Sequence, residues 1–234
     1  MRIAAAFLAL AAIGLAAASA ERKAGSTDWT RTVVKTAAGG FQMGNPKAKV
    51  KLVEYGSMTC PHCGHFDEAG MPKLIDKYVK TGRVSFEFRN YVRDPFDLAA
   101  ALVARCNGPK AFFPPTRAIF KDQSNWEDKV RSTPQDQLEK VMSAEPNQIA
   151  VQAAKLAGFQ DIAGSQGLDP EKSALCLADA DEVGRLVKMA GDANAKYPDF
   201  KGVPSFILNG KLLGDTFDWE TLEPKLRKAL GLKG

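Results

Sequence analysis

Two cysteines separated by two residues, Cys60-Pro61-His62-Cys63, are the part of this sequence best suited to chemistry. Residues three apart on a helix share a face, and their Cα spacing lies in the range a disulfide requires. The pair can therefore alternate between dithiol and disulfide with little backbone movement. Pro61 suits the first helical position, where its missing N–H costs nothing, so Cys60 falls at a helix N-terminus. The unpaired N–H groups and the positive dipole end there favour a thiolate, and His62 adds a cationic donor. Each pKa unit removed from Cys60 stabilises the reduced form by about 1.4 kcal/mol, equivalent to roughly 30 mV of oxidising power. A very stable thiolate makes a strong oxidant.

The same residues invite two other readings. Cys60, His62, Cys63 and His65 lie within six positions, and zinc takes such ligands. A closed zinc site needs four ligands, usually from two separated pairs. The remaining cysteines, Cys106 and Cys176, are single, and the chain has no further histidine. A cysteine protease fits less well, because both histidines sit beside the cysteine rather than elsewhere in the sequence. Redox chemistry without a metal is the better reading.

The elements that must hold this motif are legible on either side of it. Lys49 to Tyr55 begins with strand-like alternation and ends as a buried strand, and Ser57 to Pro61 reads as a loop into a helix start. Helical spacing of Phe66, Ala69, Leu74, Ile75, Tyr78 and Val79 predicts a helix to Lys80, kinked at Pro72. Arg83 to Tyr91 alternates as a second strand. The next hundred residues read as helices: one through Leu98, Leu102 and Cys106, then Pro109 to Lys121, Pro134 to Ser143, Asn147 to Ala157 and Pro170 to Tyr197. Strand character returns at Ser205 to Leu208, followed by an Asn209-Gly210 hairpin turn and Lys211 to Leu213. Asp218 caps a final helix to Leu230. Residues 21–48, polar and Gly-rich, read as an arm or an edge hairpin. The pattern implies an α/β domain with an all-helical domain inserted into it.

The first twenty residues are expected to be an address rather than structure. Ile3 to Ala18 is an apolar run of 16 residues behind Met1-Arg2, and Ala18-Ser19-Ala20 gives a small-x-small cleavage pattern. The run is short of the ~20 residues a spanning helix needs, so it reads as a cleavable signal peptide. Export in a bacterium would place the chain in the oxidising periplasm. Composition excludes a disordered chain or a disulfide-dense miniprotein, since four cysteines in 234 residues leave the core to hydrophobic burial. The net charge of +5 is spread along the chain, with its densest cluster at Lys225-Leu226-Arg227-Lys228, unlike the concentrated charge of a nucleic-acid binder. Cys106 and Cys176 can each be a buried core thiol. An oxidising compartment favours their pairing, which would stabilise by about 4 kcal/mol through loop closure.

Cys60-Pro61-His62-Cys63 followed by Gly-His-Phe, with Glu54 six residues upstream and Gly202-Val203-Pro204-Ser205-Phe206 far downstream, resembles the DsbA family of thioredoxin-fold disulfide oxidoreductases. The resemblance extends over nearly all the chain beyond the leader. It implies a thioredoxin-like fold from residues 49–93 and 199–234 with an inserted all-helical domain, 94–198. It implies that Cys60 is the exposed sulfur attacked by substrate, Cys63 its buried partner, and His62 the stabiliser of the Cys60 thiolate. Glu54 would be a buried acid assisting proton movement at Cys63, a surface strand-end glutamate being the plain alternative. Val203-Pro204 would be a cis peptide pairing with substrate main chain. Some members carry a second, non-catalytic disulfide in the helical domain, which agrees with a Cys106–Cys176 pair. The implied partners are reduced or unfolded exported proteins and a membrane, quinone-linked reoxidant of the DsbB type. No cofactor is implied, nor nucleic acid, and the expected state is a monomer. An isomerase or reductase of the same fold is an alternative. Val203 before the proline leans towards an oxidase, since related isomerases more often show Thr there and usually carry a long N-terminal dimerisation domain. A binding protein whose CxxC is only structural is an alternative from another class.

Overall fold

The structure is a computed structural model that describes residues 27–232. The leader expected at residues 1–20 lies outside the described residues. Six strands form one sheet: Val33–Lys35 (β1), Phe41–Met43 (β2), Val50–Gly56 (β3), Val84–Asn90 (β4), Ser205–Leu208 (β5) and Lys211–Leu212 (β6). Their spatial order is β1-β2-β4-β3-β5-β6. β3 and β4 pair in parallel, and all other neighbours are antiparallel. Of the two forms read for residues 21–48, the described part is an edge hairpin rather than an arm, since β1 and β2 extend the sheet beside β4. The far edge is the Asn209-Gly210 hairpin, whose two turn residues both have positive φ (50° and 86°), as a type I′ turn requires.

β3 is central and flanked on both sides, and its Val50, Leu52, Glu54 and Tyr55 are all buried. From β3 the chain enters Pro61–Ala69 (α1) and Met71–Leu74 (α2), then a π turn at Ile75–Val79, before β4. The single helix expected to Lys80 is thus divided, and the break falls at Gly70 rather than at Pro72. A Cβ on Gly70 would come within 2.6 Å of the Phe66 ring, and Pro72 sits harmlessly in the first turn of α2.

Between β4 and β5 lie a short 3-10 helix, Pro109–Ala111, and eight α-helices: Pro95–Arg105 (α3), Phe113–Lys121 (α4), Gln123–Arg131 (α5), Gln135–Met142 (α6), Ile149–Ala157 (α7), Phe159–Gly164 (α8), Pro170–Leu177 (α9) and Ala180–Lys196 (α10). Two of these, α5 and α8, are absent from the sequence expectation. α5 buries only Gln123 and Trp126, too little apolar character to show a stripe, and α8 is a short helix started by the left-handed Gly158. The helix expected from Pro170 to Tyr197 is two helices, because the Asp179 side chain accepts the Glu182 N–H at 3.0 Å and begins α10 afresh. A disulfide joins Cys106, at the end of α3, to Cys176 in α9, with a Cα–Cα distance of 5.7 Å. Phe86 and Phe88 of β4 share one buried cluster with Ala100, Phe112 and Ile119, so the helices and the sheet have a common core. Phe112 and Phe113 both belong to that core. The chain closes with Trp219–Ala229 (α11), capped by Asp218, whose carboxylate accepts the Thr221 N–H at 2.8 Å.

Candidate active site

β3 ends at Gly56, and Ser57, Met58 and Thr59 carry the chain to α1. Cys60 holds the N-cap position with extended dihedrals (φ −98°, ψ 117°), and Pro61 is the first helical residue. A sulfur thus stands where a capping oxygen usually does. Cys60 and Cys63 are both free thiols, so this is the dithiol state. Hydrogen bonding from the Cys63 thiol, then from the Cys63 and His62 N–H groups, together with the positive charge of Arg93, outweighs burial and lowers the Cys60 pKa to about 5. Cys63 is fully buried, and burial first, then its bond to Cys60 and the nearby Glu54, pushes it well above the ordinary thiol range. The Ser57 N–H reaches the Cys63 sulfur at 3.5 Å. One thiol is ready to ionise and the other is not.

Two expectations need correction here. Cys60 is not an openly exposed sulfur: it is only 4% exposed. The cis Val203–Pro204 peptide lies over it, and its thiol donates to the Val203 carbonyl oxygen at 3.4 Å. Access is through a groove of about 540 Å³ lined by Cys60, His62, Arg93, Lys201, Val203 and Phe217, among others. His62 is exposed, and it acts on Cys60 through its backbone N–H, while the cation acting on Cys60 is Arg93.

Glu54 is 2% exposed in β3, opposite Phe88 of β4 and Phe206 of β5, which excludes the surface alternative. Burial, reinforced by Asp67 and then Cys60, raises its pKa well above the carboxylate range. Asp67 lies one turn beyond Cys63 on α1. Burial raises it to about 6 despite Arg117, 3.5 Å away on α4.

Several contributors escape sequence reasoning. Arg93 donates from Nε to Ser57 Oγ (2.9 Å) and from its terminal nitrogen to Thr59 O (2.6 Å) and Thr59 Oγ1 (2.9 Å). Asp94 caps α3 by accepting the Phe96 and Asp97 N–H groups, each at 2.9 Å, and accepts the Thr59 hydroxyl at 2.7 Å. Asp97, 1% exposed and pushed up to about 7 by burial, accepts the Met58 N–H at 2.8 Å and the Arg93 N–H at 3.1 Å. Gln123 of α5 donates to the Met58 carbonyl at 2.8 Å. The start of the helical segment therefore fixes the loop that presents Cys60. The sequence signal for this is Asp94-Pro95, a capping residue followed by proline at the first helical position. Among the described residues no group of three His, Cys, Asp or Glu side chains is arranged to hold a metal ion.

This arrangement of fold and site defines a thioredoxin-fold dithiol protein with a DsbA-like helical insertion. A family model described as thioredoxin matches residues 36–228, and the chain belongs to that family. It is 29% identical over 188 residues to a putative protein-disulfide oxidoreductase of Rickettsia conorii, covering 80% of this chain and 59% of that one. A putative protein-disulfide oxidoreductase of Rickettsia prowazekii is 28% identical over 213 residues, 91% of this chain and 69% of its own length. The chain thus spans little more than half the length of the first of these relatives. Among solved structures, a protein-disulfide isomerase from Novosphingobium aromaticivorans superposes with a TM-score of 0.76 at 32% identity, over 81% of this chain and 96% of that one. Wolbachia pipientis α-DsbA1 shares the fold, with a TM-score of 0.64 at 22% identity over 81% and 90% of the two chains.

Proposed function

We propose that the protein is an exported thiol–disulfide oxidoreductase that introduces disulfides into reduced substrate proteins through its Cys60–Cys63 bridge. The observation that carries this reading is the Cys60 thiol at the start of α1, held against the Val203 carbonyl of the cis-proline loop. In the oxidised protein a substrate thiolate attacks Cys60 Sγ. The Cys60–Cys63 bond breaks, its electron pair leaves on Cys63, and the mixed disulfide forms. Cys63 is held strongly towards the protonated state, so it needs a proton, and buried Glu54, itself held protonated, is the donor. A second substrate thiolate then attacks the substrate sulfur of the mixed disulfide, and Cys60 departs as a thiolate. The substrate has lost two electrons and gained a disulfide. The protein holds those electrons as a dithiol until a membrane, quinone-linked partner of the DsbB type removes them.

The depressed Cys60 pKa favours this direction, because a stabilised leaving thiolate stabilises the reduced protein. Pro61 sets the helix start, and the Val203–Pro204 backbone would pair with an extended substrate segment as an added strand does. The Cys106–Cys176 bridge is structural and suits an oxidising compartment. The apolar leader supports a periplasmic address, and no helix among the described residues is long and apolar enough to cross a membrane. Residues 94–198 act as the inserted domain on a thioredoxin-like body of 49–93 and 199–234. The working unit is a monomer.

An isomerase is the second reading, favoured by the name of the Novosphingobium relative. The two separate in parallel assays. An oxidase converts reduced, unfolded ribonuclease to disulfide-bonded product and does little to its scrambled form, whereas an isomerase restores activity to the scrambled form. Replacing Cys60 with Ser abolishes either activity. Undiminished activity in that variant would leave the CxxC with a structural role and defeat the proposal.

A further inference from the structure

Two cations face the groove over Cys60, and they come from different parts of the chain. Arg93 follows β4, and Lys201 lies in the loop before the cis-proline. The three side-chain bonds of Arg93 all go to neutral oxygens, on Ser57 and Thr59. Among the described residues no carboxylate lies within ion-pair distance of its guanidinium, or of Lys201. Glu127 of α5 lies in the field of Arg93, but its own partner is Arg131, at 3.9 Å. No carboxylate lines the groove either. Arg93 is thus a cation fixed by neutral oxygens without a direct ion pair. The nearest carboxylate in its bonding network is Asp94, which accepts the same Thr59 hydroxyl. Lys201 is a second cation in the groove lining. Val203 and the half-exposed Phe217, 49% exposed, line the same groove.

We propose that Arg93 and Lys201 make this groove selective for substrate segments that carry an acidic residue beside the reacting cysteine. The inference rests on the oxidoreductase reading and adds a substrate class to it. The occupant is an extended, cysteine-containing protein segment. Its main chain lies along Val203, an apolar side chain covers Phe217, and an Asp or Glu next to the cysteine meets the two cations. Charge complementarity of this kind acts on encounter and on register. The chemical step is the exchange described above, with the substrate thiolate attacking Cys60 and the electron pair leaving on Cys63. The same cations favour the approach of that thiolate.

The test is oxidation of two reduced dithiol peptides that differ only in one residue beside the first cysteine, Glu in one and Lys in the other. Each is assayed with the full oxidised protein at low and at high salt. The Glu peptide is expected to react about 5–10-fold faster in kcat/KM at low salt, as two exposed charge interactions allow, and the advantage should shrink at high salt. Lys201→Gln and Arg93→Gln should each cut the ratio by roughly 2–4-fold. Lys211→Gln, which removes the same charge at the far end of the β5–β6 hairpin, should leave the ratio intact. Equal rates for the two peptides would overturn the selectivity and leave the oxidoreductase reading standing, as would a ratio that ignores both Lys201→Gln and Arg93→Gln. If neither peptide is oxidised, the oxidoreductase reading fails and the selectivity falls with it.

Discussion

The Cys60 thiol donates to the carbonyl oxygen of Val203 at 3.4 Å, across 143 residues of sequence. That contact sets the N-terminus of α1 against the cis-proline loop, and Cys60 is buried beneath it. On the proposed function, an incoming segment that pairs with the Val203 backbone would arrive with its own sulfur beside Cys60.

The first prediction concerns pH. The Cys60 pKa is lowered in the folded, reduced protein to about 5 from 9.0. The unfolded chain therefore carries a proton there that the native state has already released. Stability from this group is fully present above the unfolded value and is lost as pH falls through about 5. Urea denaturation of reduced and oxidised protein should show the reduced form gaining on the oxidised by about 1.4 kcal/mol per pH unit between those limits. A difference independent of pH would mean that Cys60 is an ordinary thiol.

Glu54 carries the opposite sign. Its pKa is raised by burial, so the native state keeps a proton that the unfolded state releases above its ordinary value of 4.5. Stability falls as pH rises from there towards the folded value. Glu54→Gln should remove that slope and gain stability on the parent as pH rises into the mildly alkaline range, with little gain in acid. In stopped-flow exchange, the same variant should slow the release of Cys63 from the bridge.

Arg93 contributes to Cys60 by charge and to the Ser57–Thr59 loop by hydrogen bonds. Arg93→Met should raise the Cys60 pKa, followed by ultraviolet thiolate absorbance. It should also shift the glutathione equilibrium towards the oxidised protein by up to about fivefold, the scale of a charge interaction near 1 kcal/mol. Arg93→Lys keeps the charge without the same grip on Thr59 and should fall between the two.

Removing the second bridge should affect stability and spare the chemistry. Cys106 and Cys176 enclose a loop with a sequence separation of 70. The double replacement by Ala is expected to cost about 2–4 kcal/mol in chemical denaturation. Peptide oxidation should continue at near-parental rates below the lowered melting point, since neither sulfur lies in the groove.

Much of this site was legible because its signals are local. Cys60, Pro61 and Cys63 declare a helix start and a redox pair within four residues, and Asn209-Gly210 declares its hairpin within two. Where side chains from distant segments converge, the sequence was mute. Nothing marks Arg93 as a neighbour of Cys60, because its contacts to Ser57 and Thr59 cross 34–36 residues. Gln123 sits on a polar helix with no stripe to reveal it, yet it holds the Met58 carbonyl. The assignment of thiolate stabilisation to His62 followed residue type, whereas the geometry gives the charge to Arg93 and leaves His62 its backbone N–H. The division between α9 and α10 turned on whether Asp179 caps a new helix or continues an old one, which apolar periodicity does not encode.

The redox equilibrium of the Cys60–Cys63 pair with glutathione, followed by alkylation and mass, tests the central claim most directly. A thiolate stabilised this far below its ordinary range predicts a potential clearly more oxidising than the glutathione poise of roughly −220 to −260 mV, with the bridge passing to reduced substrate. A potential at or below about −270 mV, in the range of a dedicated reductant, would contradict it.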